Sequence, residues 1–381
     1  MADWREILED QLGTDPPPIS VENASILYSD ASLNDLMFVA MERRRLQVPE
    51  NIVTFLIDRN INYTNVCSIN CHFCSFYRSP GHEESYTQTI DQISERIIEL
   101  ETLGGSRILM QGGVNPSLPF EWYTDLLSEL SNRHPTILLD CFSPIEIEGI
   151  AEVSGFSTLE VLSRFQESGL HGLPGGGAEM LVDKVRFDVS PRKGSSENWL
   201  RVMEEAQSLG LTTSATNVFG FGETYSERIE HMEKIRCLQS QSLSSGYSGF
   251  TSFISWPVML ENNAFGRIRH RRNISGLGAG SVEYLRHVAV SRIFMNNIDH
   301  IQASWPTMGL DVAQIALSAG ADDIGSTMME ENVVSASGTK KTMATVEELK
   351  NSIIDSGFVP AIRDSDYNIL EVFREEDILE V

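Results

Sequence analysis

The chain predicts an α/β fold, a TIM-type (β/α)8 barrel with an added segment at each end, and three observations carry that prediction. From about residue 52 onward, short apolar runs alternate with amphipathic stretches, the pattern of parallel strands joined by crossover helices. Eight such units can be counted, which is the number that closes a barrel. The 381 residues, 41% hydrophobic and 22% charged, suffice for a ring of this size and its core. An open doubly wound sheet fits the same periodicity, because alternation does not report closure.

Residues 1–51 are expected to form a helical extension. Ser32 precedes an amphipathic run through Leu36, Val39 and Ala40 that ends in Arg43-Arg44-Arg45, and cations suit a helix carboxyl end. The barrel is expected over 52–335, with strands at 53–61, 107–111, 136–140, 169–173, 212–219, 250–255 and 300–303 and an eighth ending at Ile324. Between the strands, Ile90, Ile93, Ile97 and Leu100 recur at helical spacing before Gly104-Gly105. Trp199, Val202, Met203, Ala206 and Leu209 do the same before Gly210. Ser157 with Glu160, and Thr224 with Glu227, have the spacing of a capping box, in which hydroxyl and carboxylate satisfy the free N–H groups of the first turn. Residues 336–381 are expected to pack on the barrel, opening with a third such pair, Thr345 and Glu348, and a helix that stops at Gly357.

The 54 acidic and 29 basic residues leave a net charge of -25, which repels nucleic-acid phosphates and anionic lipid. No run approaches the ~18 apolar residues of a spanning helix, and Met1-Ala2-Asp3-Trp4 opens without the basic and apolar regions of a signal peptide. The expectation is a soluble, cytoplasmic protein with neither a nucleic-acid nor a membrane partner. Five cysteines are too few for a disulfide framework in so long a chain. Cys141 follows an apolar strand and Cys237 lies on a Met- and Ile-rich helix, so both read as small core residues.

The other three, Cys67, Cys71 and Cys74, fall on one loop directly after the first strand, at the end where a barrel builds its active site. Three thiolates can bind three irons of a 4Fe-4S cluster and leave the fourth open to a small molecule. A zinc site completed by His72 or His82 is the competing reading, although the usual second Cys pair is missing downstream. Cys-x3-Cys-x2-Cys with Phe73 before the last cysteine resembles the radical S-adenosylmethionine (SAM) superfamily. The resemblance implies a 4Fe-4S cluster held by Cys67, Cys71 and Cys74, with SAM on the open iron as source of a 5'-deoxyadenosyl radical. It also implies an external low-potential electron donor.

Longer strings are similar to the cyclic dehypoxanthine futalosine synthase family of menaquinone biosynthesis. They are Asn62 to Cys67, Phe76-Tyr77-Arg78, Gln111-Gly112-Gly113-Val114, Phe142-Ser143-Pro144, Leu173 to Glu179 and Gly325 to Asn332. Aminofutalosine synthase and the F0 synthase subunits share the scaffold and remain alternatives, as does a non-catalytic metal-binding or electron-transfer protein. The resemblance implies a small-molecule substrate, dehypoxanthine futalosine, cyclised by C–C bond formation after its ribose C4' hydrogen is removed. Cofactor contacts are expected from Phe73, Tyr77, Gln111, Gly112, Gly113, Ser143, Gly176 and Glu179. Substrate contacts are expected from Thr64, Asn65, Gln302, Trp305 and Thr327. Asp140, Glu223 and Glu330, with Glu179, are the carboxylates that could take a proton at the barrel mouth. Phe221 and Asn115 stand where the family pattern has histidines. The basic run Arg267, Arg269, His270, Arg271 and Arg272 reads either as an attractor for a carboxylate substrate or as a solvated loop.

Overall fold

In the computed structural model, which describes residues 3–48, 51–271 and 277–374, one sheet of mostly parallel strands curls into a barrel. Its strands are β1 Ile52–Leu56, β2 Asp58–Ile61, β3 Arg107–Met110, β4 Leu138–Cys141, β5 Gly172–Leu173, β6 Thr212–Phe219, β7 Phe250–Pro257, β8 His300–Gln302, β9 Asp323–Ser326, β10 Val359–Arg363 and β11 Ile369–Val372. They neighbour one another in the order β11-β10-β1-β9-β8-β7-β6-β5-β4-β3-β2. Only Ile57 separates β1 from β2, so the two are one stave and the sheet closes on itself. Beyond β9 the seam continues, with Thr327 N–H donating to Leu56 O at 3.0 Å and Asn60 N–H to Met329 O at 2.9 Å. The ring therefore has the eight staves that the periodicity predicts, and closure excludes the open sheet.

The fourth expected strand shrinks to Gly172–Leu173, because Gly169 has φ 109 and turns the chain before pairing begins. The helix Ile90–Thr102 turns Ile93, Ile97 and Leu100 wholly inward, each worth about 1.5–3 kcal/mol of burial. Thr224 and Thr345 form reciprocal capping boxes, whereas Ser157 accepts from the Glu160 N–H without the return bond. Cys141 is buried as expected, but Cys237 is exposed, because the buried face of helix Tyr225–Ser244 passes through Ile235, Leu238 and Gln239 instead.

Both additions reach further into the barrel than patterning suggests. Ahead of the ring come helices Trp4–Glu9, Val21–Asp30 and Leu33–Gln47. In the third, Arg44 is fully buried and donates from Nε to Ala321 O at 3.1 Å and from Nη2 to Ile52 O at 2.6 Å. At the other end, the helix Val346–Asp355 is followed by β10, which pairs parallel to β1 from Ile52↔Val359 to Phe55↔Ile362, and β11, which pairs antiparallel to β10.

Asp322 is buried at the base of β9, where it accepts from Arg292 Nη2, also buried, and from the Ile301 N–H at 2.8 Å. Burial alone would raise this carboxyl, yet Arg292, the His300 ring and the Ile301 N–H hold it at about 2. The unfolded value is about 3.9, so the pair's contribution is complete above about pH 4 and is lost as pH falls toward 2. Arg292→Met should cost about 3–5 kcal/mol in urea unfolding at pH 7, with the deficit narrowing from about pH 4 downward.

Candidate active site

The loop after β2 is held by backbone more than by side chains. Cys67 N–H donates to Arg78 O, Ser68 N–H to Val114 O and His72 N–H to Val189 O, each at 2.9 Å, and His72 O accepts from Phe265 N–H at 2.7 Å. Thr64 Oγ1 donates to Tyr86 O at 2.6 Å, and Asn65 bonds Glu84 O at 3.0 Å and the Tyr86 N–H at 2.8 Å, so both brace the loop from beneath. All three thiols are free. Burial pushes the Cys71 thiol up, and burial together with the neighbouring Cys71 pushes Cys74 to about 11. Ionising Cys71 and Cys74 is therefore favoured by a cation beside them, the service a metal cluster provides. Among the described residues, no three His, Cys, Asp or Glu side chains converge to hold a single metal ion, so the zinc reading lacks a ligand set. A cluster instead takes each thiolate on a different iron.

Beneath the loop lies a cavity of about 330 Å³ inside the barrel. Such interiors are usually filled by Val, Ile and Leu. Here the inward positions include Asn60, Asn62, Arg107, Gln111, Asp140, Thr212, Ser214, Thr216, Ser252 and Gln302. Asn60 Oδ1, Asn62 Oδ1, Arg107 Nε, Asp140 Oδ1 and Glu179 Oε2 are buried with no hydrogen-bond partner. Each such atom costs about 1–3 kcal/mol, which a polar ligand would offset. Backbone strain gathers at the same end of the barrel: Asn70, Phe142, Glu179, Met328 and Glu330 all have φ between 41 and 69.

Of the residues expected from sequence, Phe73, Gln111, Asp140, Gly176, Glu179 and Gln302 line this cavity. Glu179 bonds Lys193 Nζ at 2.7 Å, and the Lys193 ammonium also lies 5.2 Å from the centre of the Phe73 ring. Burial disfavours that ammonium, but Cys71 and Glu179 outweigh it and raise Lys193 above its ordinary value. The glycine turn is fixed by crowding. A Cβ on Gly175 would lie 2.2 Å from Ser214 O, one on Gly176 2.5 Å from Gln111 Nε2, and one on Gly177 2.5 Å from Ile145 Cγ1.

The remaining expected residues have other contacts. Glu223 faces away from the mouth: its carboxylate accepts from the Gly220 and Phe221 N–H groups at 2.8 and 2.7 Å and pairs with buried Arg228 at 2.6 Å. Glu330 pairs with Arg59 and Arg96 in a groove on the barrel's flank. Trp305 is buried and donates to Ser326 O at 2.9 Å, and Thr327 exchanges bonds with the Asp58 backbone at 2.8 and 3.0 Å. Ser143 caps helix Pro144–Ser154 and donates to Glu146 at 2.7 Å. The same carboxylate accepts from Tyr63 at 2.7 Å and the Gly112 N–H at 2.9 Å, so Gly112 and Ser143 are both moored to it. Burial lifts Glu146 to about 7 despite these donors. Tyr77 and Arg267 share an outer recess with Cys71 and Cys74. The side chains of Arg269, His270 and Arg271, and all of Arg272, lie outside the described residues. Asn115 is buried and accepts from the Ser117 N–H at 3.0 Å, and Phe221 packs edge-on against Phe73 and Phe265.

The radical SAM superfamily profile matches residues 61–235, and that of the CofH/MqnC C-terminal region matches 247–376. A cyclic dehypoxanthine futalosine synthase of Halalkalibacterium halodurans is 40% identical over 95% of this chain and 94% of its own. The chain belongs to the radical SAM superfamily. Within it, a second synthase of that name, from Streptomyces coelicolor, is 39% identical over 93% of this chain and 86% of its own. A 5-amino-6-(D-ribitylamino)uracil–L-tyrosine 4-hydroxyphenyl transferase of Methanopyrus kandleri is 32% identical over 88% and 89%. The maturase HydG of Carboxydothermus hydrogenoformans superposes with TM-score 0.71 at 16% identity, covering 96% of this chain and 80% of that one. Methylornithine synthase does so with 0.69 at 16%, covering 93% and 97%, and both share the fold. Membership in this radical SAM family implies SAM and a 4Fe-4S cluster.

Gly113 is the tightest point beside the radical SAM cysteine loop, since a Cβ there would lie 2.1 Å from Val66 O and 2.7 Å from Cys67 Cβ. Gly113→Ala should displace the loop at a cost of about 1–3 kcal/mol and speed alkylation of Cys67, Cys71 and Cys74 in cluster-free protein, mapped by mass spectrometry. Gly13→Ala, with open space around it and no left-handed backbone, is the control.

Proposed function

We propose that this chain catalyses the cyclisation of dehypoxanthine futalosine to cyclic dehypoxanthine futalosine in menaquinone biosynthesis. The observation that carries the reading is near-full-length identity of about 40% to proteins of that name, in a chain whose barrel holds a cavity of about 330 Å³ that Phe73 of the cysteine loop helps to line. Cys67, Cys71 and Cys74 would hold the cluster, and Phe73, Gln111, Gly176 and Glu179, which line the cavity, would receive SAM. When bound, the cluster and SAM supply one-electron hydrogen abstraction, with the electron coming from an external low-potential donor. The chain's own part is to exclude water and hold the substrate's ribose and aromatic ring within reach of each other. Of the carboxylates considered for the proton, Asp140 and Glu179 line the cavity, and Glu179 is already paired with Lys193.

Anaerobic incubation of reconstituted, reduced protein with dehypoxanthine futalosine and SAM, read by mass spectrometry, should give the cyclised product and 5'-deoxyadenosine. Parallel incubations with the substrates of aminofutalosine synthase and F0 synthase separate the same-scaffold alternatives, and absence of cyclised product would sink the assignment. Iron without SAM cleavage would make the chain an electron carrier. Cys71→Ala should lower iron content and 5'-deoxyadenosine to background while leaving the circular dichroism spectrum unchanged. Retained turnover in that variant would contradict the ligand assignment.

A further inference from the structure

The cavity lining mixes apolar and polar side chains along the barrel axis, and at its lower end it closes on Arg107, Asp140, Thr212, Ser252, Ser365 and Tyr367. The first four come from staves of the ring. Ser365 and Tyr367 come from the turn after β10, outside the predicted barrel. That turn is locked in place: Tyr367 stacks on His300 with ring centres 3.9 Å apart, the Arg363 guanidinium lies 3.8 Å from the Tyr367 ring, and Asp366 accepts from Thr212. Ser365 Oγ donates to Asp140 Oδ2 at 2.7 Å, and Arg107 Nη1 reaches the same oxygen at 3.5 Å. Asp140 Oδ1 and Arg107 Nε are left without partners, one acceptor and one donor on a single floor.

We infer that this floor is a recognition subsite for the hydroxyl-bearing pentose of the substrate, with Asp140 accepting a ribose hydroxyl and Ser365 as its positioning residue. The inference rests on the proposed cyclisation, whose substrate carries a ribose. Charge selects a polyol over an anion: two arginines, Arg107 and Arg363, face Asp58, Asp140 and Asp323, with Asp366 beside Asp140 as well, so carboxylates outnumber arginines on the floor. A hydroxyl can donate to the unpartnered Asp140 Oδ1, which a carboxylate or phosphate anion cannot do. Depth of the site is then set by the C-terminal strand and not by the ring.

The test uses reconstituted protein with SAM but no reductant, so that binding is read without turnover by isothermal titration calorimetry. Ser365→Ala should weaken dehypoxanthine futalosine about tenfold and Asp140→Asn about tenfold or more, with SAM affinity within about twofold of wild type. A 2'- or 3'-deoxy analogue should bind wild type more weakly and lose little further in Asp140→Asn, a coupling that a purely structural plug would not show. Wild-type binding with both variants within about twofold, whatever their melting temperatures, overturns the subsite. Failure of wild type to bind dehypoxanthine futalosine overturns the proposed reaction instead. The same variants are then measured with 5-amino-6-(D-ribitylamino)uracil: binding weakened by both keeps the pentose subsite, and no binding overturns it as well.

Discussion

The stave that runs from Ile52 to Ile61 has two different neighbours on one side, and the rest of the molecule is arranged around that fact. Its upper half, β2, pairs with β3 in register from Asp58↔Arg107 to Ile61↔Met110. Its lower half, β1, pairs instead with β10, while the opposite edge bonds β9 and the segment beyond it. A regular barrel would run β3 alongside the whole stave. Here the strand is long enough for both, so the C-terminal strand enters the ring from below. The cysteine loop leaves the top of this same stave and the cavity floor closes at its bottom.

Admitting β10 brings charge into the barrel. Arg363 donates to Asp323, which also accepts from Thr54 at 2.7 Å, and Arg107 bridges Asp58 and Asp140. Replacing such a network by packed aliphatic side chains is often neutral or stabilising, so its presence is poorly explained by stability. Two properties of a cavity explain it better. Charged side chains tied to one another stay in place around a space that would otherwise collapse, and they hold polar atoms ready for a ligand without reorganisation at the moment of binding.

Ring, staves and cysteine loop were all legible in the sequence, because apolar periodicity, glycine stops and metal-ligand spacing are local signals. The floor was not. Arg363 and Ser365 lie more than two hundred residues from Arg107 and Asp140, and nothing near them in the chain marks a strand that joins the ring. One signal was available: Asp58, Asn60 and Asn62 put polar side chains at alternate positions where the first stave ends, which says that its inner face meets something other than a packed core, although Arg59 between them blurs the alternation. Glu223 was misplaced for the opposite reason. A carboxylate in the first turn after a stave suits a mouth-facing base and a loop cap equally well, and Arg228, five residues on, decides between them.

Arg228 also shows how the N-terminal helices bear on the site. Its guanidinium bonds Tyr28 of helix Val21–Asp30 at 3.0 Å, Glu223 at 2.6 Å and Glu283 at 2.6 Å. Tyr28 in turn bonds His287 at 2.8 Å, and His287 bonds Ser255 of β7 at 3.0 Å. Glu223 carries the connection to the Gly220-Phe221 backbone, and the Phe221 ring meets Phe73 with centres 5.4 Å apart. A histidine at position 221 would place a second polar group against Phe73 and Phe265, where the structure has aromatic contact. With phenylalanine there, Phe73, Phe221 and Phe265 pack edge-on, and the charged groups beside Phe73 are Lys193, 5.2 Å from its ring centre, and Glu179, which Lys193 bonds at 2.7 Å.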